Sequence, residues 1–396
     1  MSNLEQLSPT GLMSIVPNRI AKIQEASGTP QKIIDPIMDL QRALHPAVQN
    51  LIIESIQDHV DDAKSYVLVP APALGTSSLA YFSAGQYLSI SLVIDGARVS
   101  KPYSISSSPK DALEGTYTIT IKRADGGFAS TYILDNWKVG DAVVASGPEG
   151  QFTYEPLRDA QQVIGLAGGS GVTPFLSFAR AIAAGTEDFS LTLLYGSRTS
   201  EGILFKEEFD ALEAACPRIK VVHILSDEEA AGYEHGFITA ELIKKYAPAE
   251  DYSLFICGPQ AMYNFVDEEV AKLDLPVKFI RHELFGEIKN PEKNSDYPTD
   301  FMNKEFKLVV NIRDEKIETI CSAAETLMVA MERAKVPVPT QCRSGECGFC
   351  HSYLISGEVF IPKTVDGRRL ADKRFGYIHP CSTFPLSDIE LEVPSI

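Results

Sequence analysis

Hydrophobic and polar positions follow four successive patterns along the 396 residues of the chain. In residues 1–53, apolar side chains recur at helical spacing, and Pro36 and Pro46 interrupt the pattern. Because proline ends or kinks a helix, this segment is predicted to form short helices. We expect a helical extension, which either packs on the following domain or docks a partner or a second subunit.

Residues 54–156 change to short runs of β-branched and aromatic residues with Gly and Asp between them, as in KSYVLVPA and QYLSISLVI. Many short strands separated by turns predict a small antiparallel β-barrel. In residues 157–288, strand-like runs such as QQVIGLAG alternate with helix-like runs such as PFLSFARAIAA. That alternation predicts a doubly wound α/β domain with a parallel sheet.

Residues 289–305 are polar and contain two prolines, which predicts a linker. Residues 306–396 then form a last small domain, for which we expect an α+β fold. The chain is therefore predicted to be a multidomain protein, with domains at residues 54–156, 157–288 and 306–396.

Charge and hydropathy narrow the classes of function. The formal net charge of −17 argues against nonspecific nucleic-acid binding, which needs a basic surface. The chain contains no run of about 18 apolar residues, so no membrane span is predicted. Its first residues lack the basic and apolar regions of a secretion signal. We expect a cytoplasmic protein, and the sequence leaves its oligomeric state open.

Four of the seven cysteines follow a spacing that is typical of metal binding. They form a C-x4-C-x2-C run with a fourth cysteine far downstream, and they are Cys342, Cys347, Cys350 and Cys381. Four thiolates hold the two irons of a plant-type [2Fe–2S] cluster at this spacing, and Gly345 and Gly348 would let the loop wrap around it. Structural zinc and disulfides are the alternatives, while Cys216 and Cys321 are expected to be core thiols.

The run QCRSGECGFC with the later HPC resembles a plant-type ferredoxin domain, which has a β-grasp fold, over about the last 90 residues. Upstream, Lys101, Pro102, Tyr103 and Ser104 resemble the R-x-Y-S motif of the ferredoxin–NAD(P) reductase family. The resemblance implies that Tyr103 packs on the flavin ring, that Ser104 bonds near flavin N5 and acts in catalysis, and that Lys101 neutralises phosphate. Lysine keeps the charge of the usual arginine but loses its two-pronged hydrogen bonding.

A second segment of the barrel, residues 126–131, resembles the other flavin-binding segment of that family. Glycines ahead of a helical turn let the backbone approach a phosphate, and the helix N-terminus favours the anion. The residues implied are Gly127, Ala129, Ser130 and Thr131. The SISSSP form is more similar to FAD-using members than to the FMN-using phthalate dioxygenase reductases, so we expect FAD, with FMN as the alternative.

The α/β region carries a nicotinamide signature at the ends of its predicted strands. A Gly-rich loop between an apolar strand and a helix suits pyrophosphate binding, and it resembles the G-x-G-x-T-P motif of the family. Its implied residues are Gly169, Gly171, Thr173 and Pro174. The Cys-Gly-Pro run of Cys257, Gly258 and Pro259 resembles the motif beside the nicotinamide, where Cys257 positions the ring, and the family places Glu283 and Phe285 nearby.

The choice of dinucleotide is read from charge. Asp227 opens an acidic loop after a predicted strand, where carboxylates repel a 2′-phosphate and accept bonds from ribose hydroxyls. Arg198 is a counter-signal, since arginine grips phosphate. We expect NADH, with NADPH as the less favoured cofactor.

The order flavin, nicotinamide, ferredoxin is similar to that of phthalate dioxygenase reductase-like proteins over residues 54–396. The resemblance implies an NADH-dependent flavin iron–sulfur reductase, because a flavin takes a hydride's two electrons together and releases them singly. Its redox partner would be a terminal oxygenase, a demethylase, a corrinoid-type system or another metalloenzyme. The alternatives are an electron-transfer subunit of a larger complex, or reverse flow from a low-potential donor to NAD.

The cluster region also contains a strip of basic residues between the third and fourth cysteines. They are Lys363, Arg368, Arg369, Lys373 and Arg374. Such a strip is either a solvated loop or a surface that docks the acidic first part of the chain or an acidic partner.

Overall fold

A computed structural model describes Ala21, Glu25 and residues 35–394. The chain divides into two units, residues 1–43 and residues 44–396. The first unit includes most of α1 (Pro36–Leu44), whose first turn is capped because the Asp35 carboxylate accepts bonds from two backbone amides. Residues 1–34 of the predicted helical extension, apart from Ala21 and Glu25, lie outside the described residues, and the role of the extension stays a prediction.

The second unit begins with a closed antiparallel barrel. The six strands of the barrel pair in the order β4-β3-β6-β1-β2-β5. A bridge between Ile105 and Ile119 joins the end of β4 to β5 and closes the barrel. The strands are β1 (Gln49–His59), β2 (Ala63–Pro70), β3 (Tyr87–Ile94), β4 (Ala97–Ser104), β5 (Tyr117–Lys122) and β6 (Ala142–Ala145). Two helices, α2 (Pro109–Leu113) and α3 (Phe128–Asn136), flank β5 along the chain. The predicted barrel is confirmed.

The predicted start of the barrel at residue 54 is wrong, because β1 begins at Gln49. Residues 51–56 read LIIESI, and apolar side chains at helical spacing made them resemble the end of a helix. In the structure Leu51 and Ile53 alternate into the barrel core, which is the period of a strand. Pairing with β2 and β6 therefore overrides the local pattern.

The next domain is a six-stranded parallel sheet in the order β10-β9-β8-β7-β11-β12. Its strands are β7 (Gln162–Gly168), β8 (Ser190–Ser197), β9 (Ile219–Leu225), β10 (Glu234–His235), β11 (Tyr252–Cys257) and β12 (Ile280–Glu283). Its helices are α4 (Thr173–Ala183), α5 (Lys206–Ala215), α6 (Ala240–Tyr246) and α7 (Gln260–Val270). Apolar side chains from both faces of the central strands are buried in two separate core clusters, as a doubly wound sheet requires.

The last domain is a mixed five-stranded sheet in the order β14-β13-β19-β15-β17, with a separate β16-β18 pair. Its strands are β13 (Glu305–Ile312), β14 (Glu315–Ser322), β15 (Ser352–Ser356), β16 (Val359–Phe360), β17 (Tyr377–Ile378), β18 (Phe384–Pro385) and β19 (Ile389–Glu392). Its helices are α8 (Leu327–Arg333) and α9 (Leu370–Phe375). The predicted α+β class is confirmed, and α8 packs with β13 and β19 in one apolar core.

The segment predicted as a linker contributes to the packing of the last domain. Tyr297 is buried, and its hydroxyl donates to the carbonyl of Ala323 at 3.1 Å. Its ring meets Phe360 edge to face at 5.1 Å. The polar composition of the segment gave no indication that Tyr297 would be buried against the last domain. Among the described residues, no helix is both long enough and apolar enough to span a membrane.

Candidate functional site

The two predicted nucleotide loops lie side by side at one edge of the parallel sheet. In the sheet, β7 lies between β8 and β11. Loops that leave the carboxyl ends of two such strands diverge and open a crevice, where open α/β sheets bind ligands. Residues 168–174 leave β7, and residues 257–259 leave β11. Thr173 and Pro174 form the first turn of α4, whose N-terminus suits an anionic group.

The two loops touch through their backbones. A Cβ atom on Gly171 would lie 2.3 Å from the carbonyl oxygen of Cys257, so glycine is required for this approach. The hydroxyl of Tyr195 donates to the carbonyl of Gly169 at 3.2 Å and supports the first loop. The structure therefore brings together the glycine motif and the Cys-Gly-Pro motif, as the sequence predicts.

Tyr263 ties the Cys-Gly-Pro loop to the end of β12. The amide of Gly258 donates to the Tyr263 hydroxyl at 3.1 Å, and that hydroxyl in turn donates to the carbonyl of Glu283. Pro259 comes directly before α7, the helix that carries Tyr263. Sequence reasoning missed Tyr263, and its only signal is a position on the buried face of a helix just after the motif.

Cys257 and Glu283 are neighbours in register on β11 and β12, and both are buried. Burial, followed by the charge of Glu283, raises the pKa of the Cys257 thiol well above its usual range. Burial likewise raises the pKa of the Glu283 carboxyl well above its usual range, with Glu346 and Cys342 adding to the shift. Cys257 is therefore a neutral thiol, which suits positioning rather than nucleophilic chemistry.

The predicted flavin residues lie where the barrel closes. Tyr103 and Ser104 end β4, with Tyr103 half-buried against the barrel core and Ser104 buried. Gly127 caps α3, and Ala129 and Ser130 lie buried in its first turn, with Thr131 following. The free amides at this helix N-terminus suit a flavin phosphate, so the residues present fit the cofactor.

The serines that follow Ser104 build a joint between the barrel and the parallel sheet. The carbonyl of Ser107 accepts a bond from Ser177 at 2.7 Å, and the carbonyl of Ser106 accepts one from Arg180 at 2.7 Å. Both donors lie on α4. The hydroxyl of Ser108 caps α2 in a capping box. The resemblance implies FAD from these serines, and the structure shows that they also hold the two domains together.

Lys101 makes a contact that the sequence does not predict. Its ammonium donates to both carboxylate oxygens of Glu287 at 3.1 Å. Burial, with the charge of Arg343 next, lowers the pKa of Lys101. A second cation, Lys289, donates to the carbonyl of Asp125 at 3.5 Å, directly beside the glycines that precede α3. Sequence reasoning missed Lys289 because its segment reads as a linker.

The four cysteines of the last domain converge. The Cys350 thiol lies 3.4 Å from the Cys381 sulfur, and the Cys342 thiol contacts the thiols of both Cys347 and Cys381. Gly345 and Gly348 have φ of +87° and +72°, which lets the loop turn around the sulfurs.

Backbone amides of the cysteine loop point at sulfur. The amides of Ser344 and Cys347 donate to the Cys342 sulfur at 3.5 and 3.4 Å, and the amide of Phe349 donates to the Cys347 sulfur at 3.5 Å. Such donors stabilise thiolates that carry added negative charge. Across the described residues, no group of three or more His, Cys, Asp or Glu side chains has the arrangement that one metal ion requires. Converging sulfurs with amide donors fit a [2Fe–2S] cluster held by four cysteines.

The three domains meet at one cavity of about 500 Å³. Glu283 lines it from the parallel sheet, Tyr87 and Glu149 line it from the barrel side, and Cys342 and Cys347 line it from the cysteine loop. Phe285 stands at the same junction, with its ring 5.3 Å from that of Tyr87. The carboxyl end of β12, which pairs with β11 beside Cys257, and the cysteine loop therefore face a common space.

Asp227 lies in the loop that follows β9 and is exposed. It accepts a bond from the hydroxyl of Ser226 at 2.6 Å, whereas the neighbouring Glu228 is engaged by the amide and hydroxyl of Ser200. The exposed carboxylates at this strand end are therefore those of Asp227 and Glu229, of which Asp227 lies closer to β9.

The predicted basic strip forms α9 and its flanks. Arg368 and Lys373 pair with Asp366 at 2.8 and 2.9 Å. Among residues 35–394, none of the five cations of the strip forms an ion pair with the barrel or the parallel-sheet domain. Both ends of the segment touch the cysteine loop, because Gly367 packs on the carbonyl of Gly345 and His379 bonds the same carbonyl at 2.6 Å.

Barrel, doubly wound sheet and cysteine-loop domain together define a flavin reductase fused to a ferredoxin. Family models match in that order: an oxidoreductase FAD-binding domain over residues 73–154, an oxidoreductase NAD-binding domain over residues 166–268, and a 2Fe–2S iron–sulfur cluster binding domain over residues 310–386.

Known proteins show the same arrangement. The ferredoxin reductase component of 3-ketosteroid-9-alpha-monooxygenase from Mycobacterium tuberculosis is 30% identical over 352 residues, which cover 86% of this chain and 94% of that protein. The glycine betaine monooxygenase reductase subunit of Chromohalobacter salexigens is 27% identical, with 79% and 88% covered. The solved structure of phthalate dioxygenase reductase is 27% identical, with a TM-score of 0.63 over 88% of this chain and 98% of that chain.

The chain belongs to the phthalate dioxygenase reductase-like family of flavin iron–sulfur reductases. It is an NAD(P)H oxidoreductase, and its cofactors are FAD, NADH and a [2Fe–2S] cluster.

Proposed function

We propose that this reductase supplies single electrons from NADH to a terminal oxygenase. The observation that carries the proposal is the common cavity, which is lined by Glu283 at the end of β12, beside the Cys-Gly-Pro loop, and by two cluster cysteines. Two of the proteins reported above are reductase components of monooxygenases, which supports an oxygenase as the acceptor. Demethylases and corrinoid-type systems are the second candidates for the partner.

The side chains of the chain bind, orient and exclude water rather than exchange protons with a substrate. FAD, when bound, accepts two electrons together and releases them singly, which matches a two-electron donor to a one-electron cluster. The α3 N-terminus and Lys289 hold the flavin phosphate side, while Tyr103 and Ser104 orient its ring. Cys257 positions the nicotinamide, and the buried Glu283 closes the space beside it.

Cys342, Cys347, Cys350 and Cys381 hold the [2Fe–2S] cluster as thiolates. The amides of Ser344 and Phe349 then set how readily it takes an electron, because hydrogen bonds to sulfur raise the potential of such a cluster.

Rapid mixing of the holoenzyme with NADH under anaerobic conditions tests this route. We expect the visible flavin absorbance to bleach first and the electron paramagnetic resonance signal of a reduced [2Fe–2S] cluster to appear afterwards. A reduced flavin beside a cluster that stays oxidised would contradict the route. Absence of flavin bleaching would instead favour a subunit that has lost nicotinamide binding.

Ser104→Ala is expected to slow flavin reduction by NADH about tenfold, because loss of one hydrogen bond near the reacting nitrogen costs about 1 kcal/mol or more. Flavin content should stay near one per chain, since the phosphate contacts are elsewhere. Stopped-flow absorbance measures the rate. Ser100→Ala, on the same strand, is the matched control, and an unchanged rate in Ser104→Ala would refute the role.

Asp227→Ser is expected to lower kcat/KM for NADH and to raise kcat/KM for NADPH, shifting the preference roughly 10- to 100-fold. The physical reason is the loss of a carboxylate that bonds a ribose hydroxyl and repels a 2′-phosphate. Arg198 is exposed nearby on the loop after β8 and would then meet the phosphate. Glu229→Gln, two residues away with the same charge change, should leave the preference as it is. Wild-type preference in Asp227→Ser would contradict the assignment.

The strip around α9 supports an acidic face on the electron acceptor. Leu370 and Phe375 are 87% and 63% exposed on this helix, and Arg369 and Arg374 lie beside them without an ion pair in the described part of the chain. An apolar contact ringed by cations suits a protein partner of opposite charge.

A further inference from the structure

Arg343 is a fully buried cation in the cysteine loop, directly after Cys342. Its side chain is 1% exposed. Its guanidinium donates to both carboxylate oxygens of Glu332 on α8, at 2.5 and 2.8 Å. A planar guanidinium that faces a carboxylate in this two-pronged way is fixed in direction as well as in distance.

The same guanidinium reaches out of its own domain. It forms an ion pair with Glu287, which lies in the segment that leaves β12, and it donates to the carbonyl of Ser100 at 3.3 Å. Ser100 lies on β4 of the barrel, one residue before Lys101. The cluster loop is therefore bonded to the strand that carries the predicted flavin motif.

Lys101 completes the set. Glu287 lies between the two cations, because it accepts bonds from the Lys101 ammonium while it pairs with Arg343. The side chains of Glu332, Glu287 and Lys101 are 10%, 13% and 22% exposed, so the whole set is shielded from water. Two cations and two carboxylates balance each other, which is the condition under which charges tolerate burial.

We propose that these four residues, Lys101, Glu287, Arg343 and Glu332, form an electrostatic clamp that fixes the cluster against the flavin domain. Separation of the domains would leave buried charges unpaired. The clamp therefore holds one geometry for the single-electron step from flavin to cluster. Glu287 is the central positioning residue of the clamp. From the segment after β12, it bonds Lys101 of the barrel and Arg343 of the cysteine-loop domain. The inference rests on the proposed route from flavin to cluster.

Other contacts place the same two domains together. α8 packs against β4, and the side-chain amide of Gln341 donates to the Glu149 carboxylate at 2.5 Å. Both contacts are made by residues that precede Arg343 in its own domain. The clamp thus stands within a wider interface, and removal of one charge should loosen the geometry without releasing the domain.

The test compares Glu287→Gln with Glu292→Gln in the holoenzyme. Both changes remove one carboxylate from the same segment, but Glu292 forms no ion pair within the described residues. In Glu287→Gln we expect NADH to reduce the flavin within about twofold of the wild-type rate. The subsequent reduction of the cluster should slow roughly 10- to 100-fold, as small misplacements of reacting groups do. Glu292→Gln should behave as wild type in both steps.

A readout without turnover accompanies the kinetics. Hydrogen exchange of the resting holoenzyme should speed up in β4 and α8 of Glu287→Gln and stay unchanged in Glu292→Gln. If Glu287→Gln does not fold, Glu287→Asp keeps the charge with a shorter reach and should show a smaller slowing of the same step. Wild-type cluster reduction in the folded variant, or equal slowing in Glu292→Gln, would overturn the clamp. If NADH does not reduce the cluster of the wild-type protein, the proposed route from flavin to cluster is itself wrong.

Discussion

Cys381→Ser is expected to abolish electron transfer through the iron–sulfur cluster while leaving reduction of the flavin by NADH intact. Cys381 and Cys350 lie 3.4 Å apart at the sulfurs, so loss of one thiolate removes half of a ligand pair. The purified variant should hold less than half the iron of the wild type. NADH-driven reduction of cytochrome c, a one-electron acceptor, should fall by more than about 100-fold, since even outer partners of metal ligands commonly cost 10- to 100-fold.

Two measurements separate this loss from misfolding. Ferricyanide reduction by NADH should stay within about twofold of wild type, because small acceptors take electrons from the flavin. Cys321→Ala is the matched control, since Cys321 is buried in the core of the same domain and points its thiol at backbone carbonyls. It should keep both iron and cytochrome reduction. A fully active Cys381→Ser would mean that the cluster is not on the path.

Spacing along the chain was enough to predict the parts of the site that are local. Four cysteines at ferredoxin spacing and a glycine loop between strand and helix carry their geometry in a few consecutive residues. The end of β11 was predictable for the same reason, because an apolar run stops at Cys257 and the Gly-Pro that follows cannot continue it. These elements lie where the sequence places them.

Contacts between segments far apart in the chain were not predictable. Lys101 and Glu287 are 186 residues apart, and Arg343 and Ser100 are 243 residues apart. Nothing near Arg343 indicates that it is buried, because its burial depends on how two domains pack. The contacts of the serines after Ser104 were not predictable for a similar reason, since their partners lie on α4 in another domain.

Arg281→Met is expected to give the largest loss of stability of any single change considered. Arg281 lies on β12 with its side chain 8% exposed, and its partner Asp159 has a side chain that is 0% exposed. Two bonds at 2.9 and 2.5 Å join them. A third bond, at 3.0 Å, reaches the carbonyl of Gln151 in the barrel-side segment. The pair thus joins the parallel sheet to the chain that enters it from the barrel.

Removal of one partner leaves the other charge buried and uncompensated, which costs about 3–5 kcal/mol in comparable pairs. We expect a large decrease in Tm for Arg281→Met, measured by release of flavin fluorescence on heating. Lys110→Met is the matched control, because Lys110 and Glu114 form an exposed pair worth at most about 1 kcal/mol. The double variant Arg281→Met with Asp159→Leu should recover part of the loss, since replacing both charges by apolar groups relieves the unpaired carboxylate. Equal Tm values for Arg281→Met and Lys110→Met would show that the Arg281–Asp159 pair does not stabilise the fold.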